Sequence, residues 1–173
     1  LAAAKVGYIA VKFDFVGTGR SDGRFEDKLT SVMLKNLEDV IDFTARLPGI
    51  KRIGVVTRSN SGSLLAIHGR DPRVTAVSLV AMPVIYAKPF EHFVREGERR
   101  GKYIYHKSFK RKHTKGPGRL PVSFFTELKT YQSRVFKGVP QLRNVIHFQS
   151  DTDEVLRNDG HFEYLQKHLP APH

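Results

Sequence analysis

Residues 55–63 read VVTRSNSGS, an apolar run that breaks at a serine and continues in small residues. Ser59 therefore falls where a buried strand passes into a helix. A hydroxyl on such a turn is exposed at a sheet edge and can attack a carbonyl carbon. Strand and helix backbones nearly touch there, so the residues two before and two after must be small. Here they are Thr57 and Ser61, with Gly62 directly following. The helix N-terminus would also present backbone N–H groups to a developing oxyanion. Centring the turn on Ser61 would place that serine inside the helix, so Ser59 is the candidate nucleophile. The alternative is a serine with a purely structural place in a tight turn.

Other chemistries find less support. The chain has no cysteine, which excludes disulfides, thiol catalysis and cysteine-ligated metals. The eight histidines are scattered, and His106 and His113 lie in a basic stretch without carboxylates spaced as ligands, so no metal site is expected. "GTGRSDG" (17–23) follows an apolar run as a dinucleotide-binding loop would. Its glycines are spaced G-x-G-x-x-x-G, however, and no helix starts directly after it. A Walker A loop would need Gly-Lys-Ser/Thr, which is absent. The loop is expected to be structural, shaping the rim of a site.

Elements that could position Ser59 are legible on both sides of it. "YIAVKFDF" (8–15) predicts a strand, and Thr30 or Ser31 can cap a helix running to about Leu47. Met33, Leu37, Val40, Ile41, Thr44 and Leu47 share one face of that helix, and Pro48-Gly49 ends it. "RIGVVTR" (52–58) predicts a second strand, too apolar for a sheet with one wet face. A short helix over about 61–68, a strand over 74–83, a helix over about 122–135, a strand over 144–150 and a last helix in "NDGHFEYLQKHL" follow. On the 122–135 helix, Phe124, Phe125, Leu128, Tyr131 and Val135 fall on one side. Residues 84–121 read as an irregular, basic, Gly/Pro-punctuated insertion. The chain opens "LAAAKVGYIA" as though on the last turn of a helix, with neither an initiator methionine nor the residue order of a signal peptide.

Alternation of strands and helices predicts an α/β fold with a mostly parallel sheet, in one domain with core 1–83 and 122–173 and the insertion at 84–121. Sites in such sheets lie outside the carboxyl ends of the strands. Those ends carry residues 17–23, 59–63, the insertion and 150–155, which converge on one edge.

Charge is the strongest compositional signal: 29 Lys and Arg against 17 Asp and Glu, a net +12. Between His92 and Arg119 ten basic residues face two acidic ones, a net +8. Lys107, Lys110, Arg111, Lys112, Lys115 and Arg119 are the candidate polyanion-binding residues, with Tyr103, Tyr105 and Phe109 interleaved as stacking surfaces. The alternative is a lid whose aromatics pack down while its lysines face water. No apolar run approaches the roughly 18 residues that span a bilayer. An intracellular location is expected, cytoplasm or mitochondrial matrix.

"GYIAVKFDFVGTGRSDGRFED", then "RIGVVTRSNSGSLLAI", "VTAVSLVAMPV" and "NVIHFQSDTDEVL", resemble in consecutive order the α/β-hydrolase fold family. The likeness is to the esterase and acyl-peptidase-like branch that includes cinnamoyl and feruloyl esterases, and "FDFVGTGRSDGRFED" is its most specific part. The resemblance implies Ser59 as nucleophile in a G-x-S-x-G turn whose flanking glycines are here Thr57 and Ser61. It implies Asp153 in "SDTDEV" as the acid and the Asn60 backbone N–H as an oxyanion donor. The alternative for Asp151 and Asp153 is a helix-capping acidic turn. The resemblance also implies that the opening strands, and a final strand carrying the catalytic histidine, lie outside this chain: His161, His168 and His173 do not stand where that base belongs. The implied activity is a cofactor-free serine hydrolase acting on carboxylic esters or related small acyl substrates. The degraded serine motif, the missing histidine and the charge cluster motivate a second expectation: a hydrolase-like domain without catalysis, serving as a structural or RNA-contacting part of a larger assembly, such as a mitochondrial ribonucleoprotein.

Overall fold

The computed structural model describes residues 2–85, 92, 93, 95, 96, 99, 101–105, 114–153, 156 and 160–170. A helical turn, α1 (Ala2–Lys5), is followed by a long irregular stretch, a 3₁₀ turn (Phe25–Asp27) and helix α2 (Thr30–Ala45). Then come β1 (Ile53–Arg58), α3 (Asn60–His68), β2 (Val74–Val80), a hairpin of β3 (Tyr103–Tyr105) and β4 (Arg119–Pro121), α4 (Val122–Gly138), β5 (Val145–Phe148) and α5 (His161–His168).

β1, β2 and β5 form a parallel sheet in the order β1-β2-β5. The register pairs Arg58 with Val80 and Val80 with Phe148, so all three strands end in one row. Side chains alternate across a strand, and here the alternation divides the sheet sharply. Ile53, Thr57, Val77 and Leu79 are buried, packing on the side where Leu64, Leu65, Ala66 and Ile67 of α3 lie in the core. α3 packs against both α2 and α4. α5 joins the same side, with Tyr164 against Phe136 of α4 and Phe162 stacked on His147 of β5. The other face shows Val56 81% exposed, Ile146 60% and Phe148 55%. The expectation that both faces are covered is therefore met on one face only among the described residues, because the described helices α2–α5 lie on one side.

The predicted strand at 8–15 does not form. These residues carry no ladder, and Tyr8, Ile9 and Val11 are exposed. A strand exists by pairing, and among the described residues the outer edge of β1 has no strand beside it. Only Phe13 and Phe15 gather, edge to face at 4.8 Å. The helices follow their predicted faces: Met33, Leu37 and Ile41 of α2 and Phe124, Phe125, Leu128 and Val135 of α4 are buried. The α2 cap differs from expectation, since neither Thr30 nor Ser31 caps with its own hydroxyl. Glu127 of α4 does so instead, accepting from the Ser31 N–H at 2.9 Å and the Ser31 hydroxyl at 3.0 Å. An anionic carboxylate there also meets the positive end of the helix dipole.

The insertion is less irregular than its composition suggests. Ile104 and Leu120 of the β3–β4 hairpin are buried, and Phe93 stacks on Phe125 at 5.5 Å.

Candidate active site

Ser59 is the first residue past β1, and its backbone lies at φ 56°, ψ −134°. Only glycine reaches such angles without strain, and a non-glycine residue held there costs of order 1–3 kcal/mol. The turn is held by its neighbours. The Ser59 N–H donates to Val80 O at 2.8 Å, and the Gly62 N–H donates to Ser59 O at 2.9 Å. Ser61 accepts from the Arg58 N–H at 2.9 Å and donates to the Arg58 carbonyl at 2.7 Å, closing the turn around Ser59. Ser59 itself is exposed.

The need for small residues extends to Gly62, which directly follows Ser61. A Cβ on Gly62 would meet Met82 at 3.0 Å and Thr57 Oγ1 at 3.1 Å, so Gly62 is held to a small residue as well. Ser61 is accommodated because its hydroxyl serves the turn. Thr57 is buried, and its hydroxyl donates to Ser78 O at 3.1 Å. Asn60 opens α3, and the N–H groups of a helix's first turn point out of its N-terminus.

Asp153 lies five residues past the end of β5, on the same carboxyl edge as Ser59. β1 and β5 are separated by β2 alone, two strand spacings or about 10 Å. The Asp153 carboxylate accepts from the Leu156 N–H at 2.9 Å and from Gln149 Nε2 at 3.1 Å. The Leu156 bond closes a local turn on Asp153. A carboxylate offers about four lone-pair sites, so these two bonds orient the group without by themselves filling it. Asp151 is exposed. A cavity of about 290 Å³ opens beside Asp153, lined also by Gln149, Leu156, His161 and Phe162; Ser59 does not line it.

His161, set aside above as a general base, has a structural place that the sequence did not reveal. It is 2% exposed, and its Nδ1 accepts from the Val84 N–H at 2.9 Å and the Ile85 N–H at 3.0 Å. The available signal was its i, i+4 spacing to Leu165, which is fully buried. No imidazole is hydrogen-bonded to Ser59 among the described residues. His106, His113 and His173 lie outside them, and no cluster of three or more metal-ligating side chains occurs within them.

The Gly-rich loop turns its donors inward. Gly17 N–H donates to Asp22 O, Ser21 N–H to Thr18 O, and Arg20 N–H to the Asp14 carboxylate at 3.1 Å. Further contacts tie it to the insertion. The backbones of Gly17 and Phe25 exchange bonds with Lys115, and Lys115 Nζ donates to Ser21 O at 2.6 Å. Glu26 pairs with Arg119 and Arg24. The Arg119 hydrogen bond, opposed by burial, holds the Glu26 carboxyl below its usual range. Arg119 also lies 4.2 Å from the Tyr103 ring centroid and donates to the Tyr105 hydroxyl. Two of the six candidate polyanion-binding residues, Lys115 and Arg119, are therefore engaged in fastening the insertion to the loop. Lys107, Lys110, Arg111 and Lys112 lie outside the described residues.

No family model matches the sequence, and no curated protein does. Solved structures do match. The chain superposes on the ferulic-acid complex of Est1E from Butyrivibrio proteoclasticus with a TM-score of 0.67 at 19% identity, covering 90% of this chain. It superposes on a monoacylglycerol lipase from Paleococcus ferrophilus with a TM-score of 0.68 at 13% identity, covering 92%. The chain has the α/β-hydrolase fold. A structure of the metagenome-derived lipolytic enzymes LipS and LipT agrees, with a TM-score of 0.64 at 14% identity over 88% of the chain. The chain spans 61% of the length of Est1E, 68% of the monoacylglycerol lipase and 65% of the third structure. The α/β-hydrolase fold accounts for the parallel β1-β2-β5 register and the flanking helices. Among the described residues no helix is long and apolar enough to cross a membrane.

Proposed function

We propose that this chain carries the nucleophile and acid of a serine hydrolase acting on carboxylic esters or related acyl compounds. The observation that carries the reading is the strained backbone of Ser59, a non-glycine residue at φ 56° where β1 passes into α3. Strain of this kind persists where the surroundings over-determine it, and it concentrates at functional sites. Esterases and lipases among the structural neighbours support the same chemistry.

In this reading Ser59 Oγ attacks the substrate carbonyl carbon, forming the Oγ–C bond while its proton passes to an imidazole. That imidazole comes from the part of the fold this chain does not span. Negative charge gathering on the carbonyl oxygen is met by the Asn60 N–H at the α3 N-terminus. The tetrahedral intermediate collapses, the alkoxide leaves with the proton from the imidazolium, and water then releases the acid from the serine ester by the same steps in reverse order. Asp153 orients the imidazole and stabilises its charged form.

Hydrolysis of p-nitrophenyl esters by the full-length protein tests this. Ser59→Ala is expected to lower kcat by about 10³-fold or more, and Asp153→Asn by about 10²-fold or more, with folding retained. Unchanged turnover in Ser59→Ala would remove the reading.

A second reading, a hydrolase-fold domain without catalysis that contacts RNA, is favoured by the +12 charge and by the exposed Tyr105 ring beside Arg119. It expects no ester turnover and an RNA affinity that falls steeply with salt.

A further inference from the structure

Between the serine turn and the acid loop lies one stretch of chain, the run-out of β2 at residues 80–85. On its β1 side it is fixed to the serine turn. Val80 O accepts the Ser59 N–H, Met82 packs where Gly62 leaves room, and Pro83 O accepts the Ser63 hydroxyl at 2.5 Å. At its start it is fixed to β5, the Ala81 N–H donating to Phe148 O at 2.9 Å. Its far end has two attachments. Val84 O accepts from Gln132 Nε2 of α4 at 2.7 Å, and the Val84 and Ile85 N–H groups both donate to Nδ1 of His161. His161 is the first residue of α5, eight positions after Asp153, and lines the same cavity as Asp153.

We propose that His161 is a positioning residue: its imidazole clamps the start of α5, eight residues after Asp153, to the β2 run-out and so sets the place of Asp153 relative to Ser59. This rests on the hydrolase reading for its catalytic consequence, though not for the clamp itself. An Nδ1 that accepts two N–H groups has its lone pair committed, which puts the neutral ring's proton on Nε2. The arrangement is two-point, with Val84 fully inaccessible and Ile85 half-buried. Removing the acceptor leaves two backbone donors unsatisfied at the base of the insertion, and both the 84–85 segment and the start of α5 then gain freedom. The clamp acts through Asp153 and the backbone, not on substrate.

Two variants separate the acceptor from the volume it fills. His161→Asn places a carbonyl oxygen near the position of Nδ1, whereas His161→Phe fills the space and accepts nothing. Amide hydrogen exchange on the full-length protein, without substrate, is expected to quicken about tenfold or more at Val84 and Ile85 in His161→Phe and to stay close to the parent in His161→Asn. With an ester substrate, kcat is expected to fall about tenfold in His161→Phe with KM little changed, and to recover in His161→Asn. Should the Phe variant fail to fold, long-range ¹H–¹⁵N spectra of the unmodified protein still decide: Nδ1 unprotonated and Nε2 protonated supports the clamp, and the opposite tautomer overturns it. Unchanged exchange at 84–85 in His161→Phe, identical behaviour of the two variants, or quickened exchange with undiminished kcat would each overturn the proposal. If the parent protein hydrolyses no ester while exchange responds as expected, the hydrolase reading fails and the clamp stands.

Discussion

Replacing Ser59 with glycine is expected to abolish ester hydrolysis while making the protein more stable, by roughly 1 kcal/mol. The two effects have one cause. At φ 56°, ψ −134° a side chain bearing a Cβ is strained, at a cost of order 1–3 kcal/mol. Glycine adopts these angles freely, and its larger entropy in the unfolded chain takes back about 0.5–1 kcal/mol of the relief. Ser59→Ala separates the contributions, since it removes the hydroxyl and keeps the Cβ. It should be as inactive as the glycine variant with no gain in stability. Urea unfolding of the three proteins, read beside their ester turnover, gives the comparison. A glycine variant less stable than the alanine variant would mean that the turn carries no strain at Ser59.

Gly138→Ala is expected to destabilise the protein by about 3 kcal/mol, against what helix propensity alone predicts. Alanine in a helix interior is favoured over glycine by roughly 0.8–1 kcal/mol, and Gly138 closes α4 with no positive φ to require it. Packing decides the sign. A Cβ at Gly138 would stand 1.8 Å from Ala66 O and 2.6 Å from Ala66 C, both backbone atoms of α3. No rotamer change can clear a backbone carbonyl, so the two helices must part. Overpacking of a tight core usually costs about 1–3 kcal/mol and occasionally more, and here it also opens the contact between α3 and α4. Because α3 begins at Asn60, its displacement reaches the serine turn, and ester turnover should fall with stability. A variant with a raised urea midpoint would show that α3 and α4 do not approach so closely.

These two glycine effects mark what one-dimensional pattern can and cannot reveal. β1, β2, β5 and the helices around them were legible because burial imprints a period on the residues themselves: Met33, Leu37 and Ile41 on one helix face, Phe125, Leu128 and Val135 on another. The serine turn was legible because a strand, a serine and small residues stand in unbroken order. What depends on distant chain was not legible. "YIAVKFDF" has the composition of a strand, but composition does not say whether a neighbouring edge exists to pair with. The α2 cap comes from Glu127, 96 residues from Ser31. The crowding at Gly62 comes from Met82, which arrives from the next strand's run-out. That Lys115 reaches the carbonyl of residue 21 and Arg119 the carboxylate of Glu26 could not be read from the charge cluster alone. His161 meets its donors 76 and 77 residues away, which spacing on its own helix could suggest only as a buried position.

The most direct test of the account is to treat the full-length protein with a fluorophosphonate and map the adduct by mass spectrometry. A single adduct on the hydroxyl at position 59, lost in Ser59→Ala and weakened in Asp153→Asn, is the predicted result. An unmodified protein, or an adduct on any other residue, would contradict it.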